Sequence, residues 1–142
     1  GNPGSLMGVS SQTRINSSAG WQAVNLNGNV AVSAGSKVWL AWVFENSPGV
    51  RYAEGNGIRA ESSQTWNSGM PQSFGSSNIG NFRYSVYCSY IEERRESEPE
   101  PGETIEGELG NTQAYNQKSI KGNRRAIPVD FNNDAEITSV SV

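Results

Sequence analysis

Lys37-Val38-Trp39-Leu40-Ala41-Trp42-Val43-Phe44 constrains this chain more than any other stretch: one lysine followed by seven apolar residues. The run is too short to cross a bilayer as a helix and is rich in β-branched and aromatic side chains. As a strand it carries Val38, Leu40, Trp42 and Phe44 on one face and Trp39, Ala41 and Val43 on the other. With both faces apolar, the strand is expected at the centre of a sheet, with at least one tryptophan buried. Beyond it come Asn46, Pro48, Gly49, Arg51 and Tyr52, then a long loop rich in Gly, Ser, Asn, Trp and Arg. A rigid β core presenting an aromatic, polar loop suits binding better than catalysis.

The remaining sequence agrees with an all-β reading. No long segment repeats apolar residues at i, i+3, i+4 and i+7, while Gly, Ser and Asn are abundant, as in secreted β-proteins with many turns. With 142 residues, the chain makes one domain or slightly less. The net charge of −3 is unevenly spread: Glu92 to Glu108 holds eight glutamates and two arginines, and the rest carries nine basic and six acidic residues. The acidity belongs to one segment, and no basic patch interleaved with aromatics points to nucleic acid. Cys88 is the sole cysteine, so no intrachain disulfide forms. In phase with Val86 and Tyr90, it is expected to be a small buried hydrophobe, with no histidine to activate it. Neither a signal peptide nor a membrane-inserting segment is recognised, and the chain is expected to be a segment of something longer.

Turn residues divide the chain. Strands are expected over Leu6–Arg14, Trp21–Leu26 and Val30–Val32, with a turn at Asn27-Gly28-Asn29. Two short strands follow at Arg51–Tyr52 and Gly57–Ser62, then an ordered loop from Thr65 to Asn81. Phe82 to Tyr90 alternates cleanly as one strand. Residues 1–91 are read as the main β-sandwich block and 92–108 as an acidic, solvated linker with a short strand near Thr104-Ile105. Residues 109–142 supply further strands near Gln113–Tyr115, Asn123–Asp130 and Ile137–Val142, completing the same or a neighbouring sandwich.

Two stretches resemble a recurrent extracellular β-sandwich repeat of bacterial and archaeal secreted and surface proteins. One runs from Ser18-Ala-Gly-Trp21-Gln through Val38-Trp-Leu-Ala-Trp42 and Pro48-Gly-Val-Arg51-Tyr52 to Phe82-Arg-Tyr84-Ser-Val-Tyr87. The other is Gly122-Asn-Arg124-Arg125-Ala-Ile-Pro-Val129 with Ile137-Thr-Ser-Val140. In that family the second stretch precedes the first; here it comes last, and the hairpin expected between them is missing. The resemblance implies a jelly-roll-like β-sandwich of about eight strands, either circularly permuted or exchanging strands with a neighbouring chain. It also implies an extracellular or cell-surface location and frequent proximity to carbohydrate-active modules, an association rather than a demonstration of sugar binding.

Function is then weighed residue by residue. Trp21, Trp39, Trp42 and Trp66, with Tyr52, Phe74 and Tyr87, are candidates for a stacking platform under a sugar ring, with Trp39 and Trp42 better placed as core. The ligand-binding set is read as Arg51, Tyr52, Arg59, Trp66 and Gln72. Arg51, Arg59 and Arg83 also suit a structural part, stacking on rings and bridging loop carbonyls. Of Arg124 and Arg125, one is expected along the sheet and the other facing the acidic linker. Asp130-Phe-Asn132-Asn133-Asp134-Ala-Glu136 spaces oxygen ligands as a calcium loop does, but lacks the glycine at the sixth position and the glutamate at the twelfth. Calcium is the one ion this pattern admits, and no cofactor is expected. Without histidine no Ser-His or Cys-His pair forms, and Glu45, Glu54 and Glu61 show no spacing that selects a catalytic pair. The chain reads as a non-catalytic module binding carbohydrate or a cell-surface polymer. The alternative is a structural repeat, filament or adhesin subunit that assembles with identical chains by β-strand exchange.

Overall fold

The computed structural model describes residues 1–46, 48–66, 69–93, 104–119 and 122–142. Among them lie nine strands: β1 Ala23–Val32, β2 Lys37–Trp42, β3 Val50–Glu61, β4 Asn78–Tyr84, β5 Tyr87–Glu93, β6 Thr104–Gly110, β7 Gln117–Ser119, β8 Arg125–Asp130 and β9 Ala135–Ser141. They form two antiparallel sheets, in the orders β1-β9-β5-β6 and β2-β8-β3-β4, with β7 also paired to β3. The protein is a β-sandwich. Its core lies between the sheets, where Leu40, Trp42, Val50, Tyr84, Ile127 and Val129 of one face Val30, Val32, Val86, Cys88, Ala135 and Ile137 of the other.

The late strands sit in the middle. β9 lies between β1 and β5, and β8 lies between β2 and β3, so residues 125–141 complete this chain's own sandwich. Consequently β2, expected at a sheet centre, is an edge strand. Its apolar faces are nevertheless covered: Leu40 and Trp42 point into the core, and Trp39 and Ala41 pack with Ala60, Phe74 and Ala126 on the outer face. The cover comes from the loop that follows β3, a long-range contact that residues 37–44 do not encode.

Other boundaries shift for local reasons. Asn27-Gly28-Asn29 is not a turn but part of a bulge within β1, since Asn25 pairs Ser139 and the next pair is Val30 with Ile137. The two short strands expected around residues 51–62 are one strand, β3, bent by a second bulge between Glu54 and Arg59. There Gly55 and Asn56 take φ of 80° and 54°, and the backbone N–H of Gly57 donates to Asn81 Oδ1 at 3.0 Å. Phe82–Tyr90 is split, because the chain crosses from one sheet to the other at Ser85-Val86. The crossing is held by Ser85 N–H on the Arg51 carbonyl (2.8 Å) and Tyr115 N–H on Ser85 Oγ (3.1 Å). Leu6–Arg14 is not a strand; the N-terminal segment makes the isolated bridges Ser5–Ser73 and Ser10–Leu26. Both ends of the acidic segment are strand, with Glu92 opposite Ile105 and Glu93 opposite Thr104, so β5 and β6 form a hairpin. Its connecting residues, 94–103, lie outside the described residues.

Candidate functional site

The outward face of the β1-β9-β5-β6 sheet carries an aromatic pair. Trp21 stands just before β1, anchored because Gln22 and Val142 exchange two backbone hydrogen bonds of 3.0 and 3.1 Å. Across β9, Tyr87 and Ala23 both pair Ser141. The small serine between them lets the two rings meet edge to face, 4.9 Å between centroids and 63° between planes. Trp21 remains 38 % exposed, the only tryptophan among the exposed large apolar side chains of the described residues. Asn25, Ser139, Ser89 and Glu108 pair in register as the next row of the sheet, with Asn25 and Glu108 exposed at its ends.

Beside Trp21 the loop Asn16–Gly20 closes a shallow depression of ≈ 390 Å³, lined by Asn16, Ser17, Ser18, Ala19, Gly20 and Trp21 itself. The Gln22 side chain fixes this loop by accepting from Asn16 N–H (2.9 Å) and donating to the Arg14 carbonyl (2.9 Å). An exposed ring next to polar groups on a braced loop can receive a ligand with an apolar face and a hydroxylated rim.

The five residues singled out in the sequence do not converge. Tyr52 turns inward, stacked on Tyr84 at 5.4 Å and edge to face with Phe82. Arg59 lies over the Phe82 ring at 4.6 Å and pairs with Glu61 at 3.3 Å, its side chain 12 % exposed. Arg51 is exposed and donates to the Asn116 carbonyl at 3.0 Å. Gln72 is exposed, and its carbonyl accepts from Leu6 N–H. Trp66 is half-buried at the wall of an apolar cavity beside β2 that none of the other four lines. The structural part for the arginines is therefore the one the geometry displays, and Arg83 follows it, 5.2 Å over the Tyr115 ring.

Arg124 and Arg125 are both buried. Arg124 donates to the Phe74 carbonyl and Ser62 Oγ and lies over the Phe74 ring, clamping the outer loop. Arg125 bonds Glu61 at 2.6 Å and Ser119 Oγ at 3.0 Å. In the calcium-like segment, Asp134 Oδ1 accepts from Ala34 N–H at 2.7 Å and Asp130 pairs with Lys37 at 3.8 Å, so both carboxylates tie turns together. No group of three His, Cys, Asp or Glu gathers among the described residues. Burial pushes the Cys88 thiol up to about 11. Trp21 and Tyr87 carried a sequence signal, an aromatic after a Ser-Ala-Gly turn and one on an alternating strand. Their meeting depends on β9 lying between them, which local sequence does not encode.

No family model, no curated protein and no solved structure matches this chain.

Proposed function

We propose that this chain is a non-catalytic, extracellular or cell-surface module that binds carbohydrate or a similar surface polymer, with Trp21 and Tyr87 as its contact. The observation that carries this reading is the exposed Trp21 ring, braced by Tyr87 and bordered by the Asn16–Gly20 depression. A sugar ring offers an apolar C–H face to an aromatic face and hydroxyls to amides and carboxylates. Asn16, Ser17 and Ser18 supply such groups on one side of Trp21, and Asn25 and Glu108 supply them one row along the sheet.

Affinity electrophoresis through gels containing soluble polysaccharides, followed by calorimetry with oligosaccharides of any that retard the protein, tests the reading. Trp21→Ala should weaken binding roughly tenfold or more, as loss of a central aromatic contact does. Trp66→Ala should leave it within about twofold, since Trp66 lines a different region. Equal retardation of wild type and Trp21→Ala would sink this site, and no retardation by any polysaccharide would sink the reading.

A further inference from the structure

An edge strand is normally short, charged, bulged or covered, because its outer row of N–H and C=O groups invites another strand. β2 has no bulge in its pairing with β8 and carries its one charge, Lys37, only at its start. It is apolar on both faces, and its outer edge has no strand partner among the described residues. Along that edge runs a cavity of ≈ 840 Å³. Every residue from Lys37 to Asn46 lines it, so the space follows the strand's backbone edge and not one of its faces. The inner wall continues through Leu26, Val30 and Ile137, and the outer wall through Met70 and Phe74.

The N-terminal segment closes the far side as a strap. It is tied to the outer loop by Leu6 N–H on the Gln72 carbonyl (2.9 Å) and Phe74 N–H on the Gly4 carbonyl (3.0 Å). It is tied to the edge of β1 by Asn27 N–H on the Val9 carbonyl (2.9 Å) and Ser11 on Asn27 Oδ1. Between these ties it crosses β2 without a backbone hydrogen bond to it among the described residues.

We infer that this cavity is an acceptor slot for a single β-strand supplied by a different polypeptide. At the usual spacings of ~4.8 Å between strands, ~10 Å between sheets and ~3.3 Å per residue, one strand residue fills roughly 160 Å³. A volume of ≈ 840 Å³ thus has room for at least about five strand residues. Each of the nine described strands is already paired within the two sheets, so none of them is the occupant. Charge specifies its ends: Lys37 is exposed at the start of β2 and Glu45 just beyond its end. An antiparallel partner therefore carries a basic residue first and an acidic residue last. Between them its alternate residues are apolar, pointing inward beside Val38, Leu40, Trp42 and Phe44. This inference is independent of the glycan reading, which concerns the other sheet.

The probe is the nonapeptide acetyl-Lys-Val-Thr-Val-Thr-Val-Thr-Val-Glu-amide, labelled for anisotropy titration and added unlabelled for amide hydrogen exchange. It should bind, and amides of alternate β2 residues should become protected. A peptide with proline at its fifth position should bind roughly tenfold more weakly or worse. Lys37→Glu should weaken the original peptide about threefold and strengthen one with its end charges exchanged by a similar factor. No binding at millimolar peptide, or binding without protection of β2, overturns the inference. Uptake of an apolar dye that no strand peptide displaces makes the slot a small-molecule cavity and overturns it as well. A solution mass that grows with protein concentration and is reversed by the peptide assigns the slot to identical chains, and so overturns the choice of a different polypeptide.

Discussion

Cys88 pairs with Val140 on one side and Leu109 on the other and exposes no surface. Burial disfavours its thiolate, raising the thiol from 9.0 to about 11. The folded state therefore holds this proton more tightly than the unfolded chain does. Stability is intact below about pH 9 and falls as pH rises toward 11, by roughly 2–3 kcal/mol for this group. A thiol-disulfide reagent at pH 8 should leave native Cys88 unmodified for hours and label it promptly in denaturant; comparable rates in both would contradict the burial. Cys88→Ser, which buries a hydroxyl in place of the sulfur, should lower stability without introducing this pH dependence. Phe131 is the bulkiest of the fully buried side chains and meets Tyr90 edge to face at 5.5 Å. Phe131→Ala should cost about 3–5 kcal/mol in denaturant titration.

At the scale of elements, β3 and β8 share only two residue pairs, Ala60–Ala126 and Glu61–Arg125. A charge cluster reinforces this short junction: Glu61 accepts from Arg125 at 2.6 Å and from Arg59 at 3.3 Å, and Arg125 lies 5.6 Å over the Tyr84 ring. Glu61→Ala leaves two guanidinium groups in the interior without that carboxylate. With Glu61 22 % exposed, the expected loss is roughly 2–3 kcal/mol in chemical denaturation, below that of a fully buried pair. The β5–β6 hairpin has a different device, a glycine under a ring. Gly107 pairs with Tyr90, whose ring occupies the space a Cβ would need. Gly107→Val should displace that ring and cost about 1–3 kcal/mol, with Tyr90 fluorescence and near-ultraviolet dichroism reporting the shift. The alternation around Cys88 in β5 was legible in the sequence because burial on one face imposes it directly. The bulges were not, because Asn27-Gly28 and Gly55-Asn56 look like turns until a partner strand is present.

At the scale of the molecule, β8 and β9 join strands distant in sequence in each sheet. Without them β2 loses its sheet and β1 is separated from β5. A chain ending at residue 121 should show no cooperative unfolding transition and collapsed amide dispersion by NMR; a sharp transition would mean that the N-terminal strands form a sandwich alone. Such non-local pairing carries a high loop-closure cost, and folding of the intact chain is expected on the millisecond-to-second scale by stopped-flow fluorescence. The same topology sets the surface chemistry, because it brings Trp21 and Tyr87 together on one sheet and leaves β2 at the rim of the other.

By itself the sequence determined the all-β class, the burial of Trp42 and Cys88, and the strand character of residues 37–42, 125–130 and 137–141. Each follows from side-chain period and propensity, which act over a few residues. Tertiary structure alone decided which strand lies at an edge, which aromatics meet solvent, and which arginines stack inward. Those outcomes depend on partners that are dozens of residues away, Ser141 between Trp21 and Tyr87 or Phe74 over Trp39 and Ala41, and no local pattern contains them.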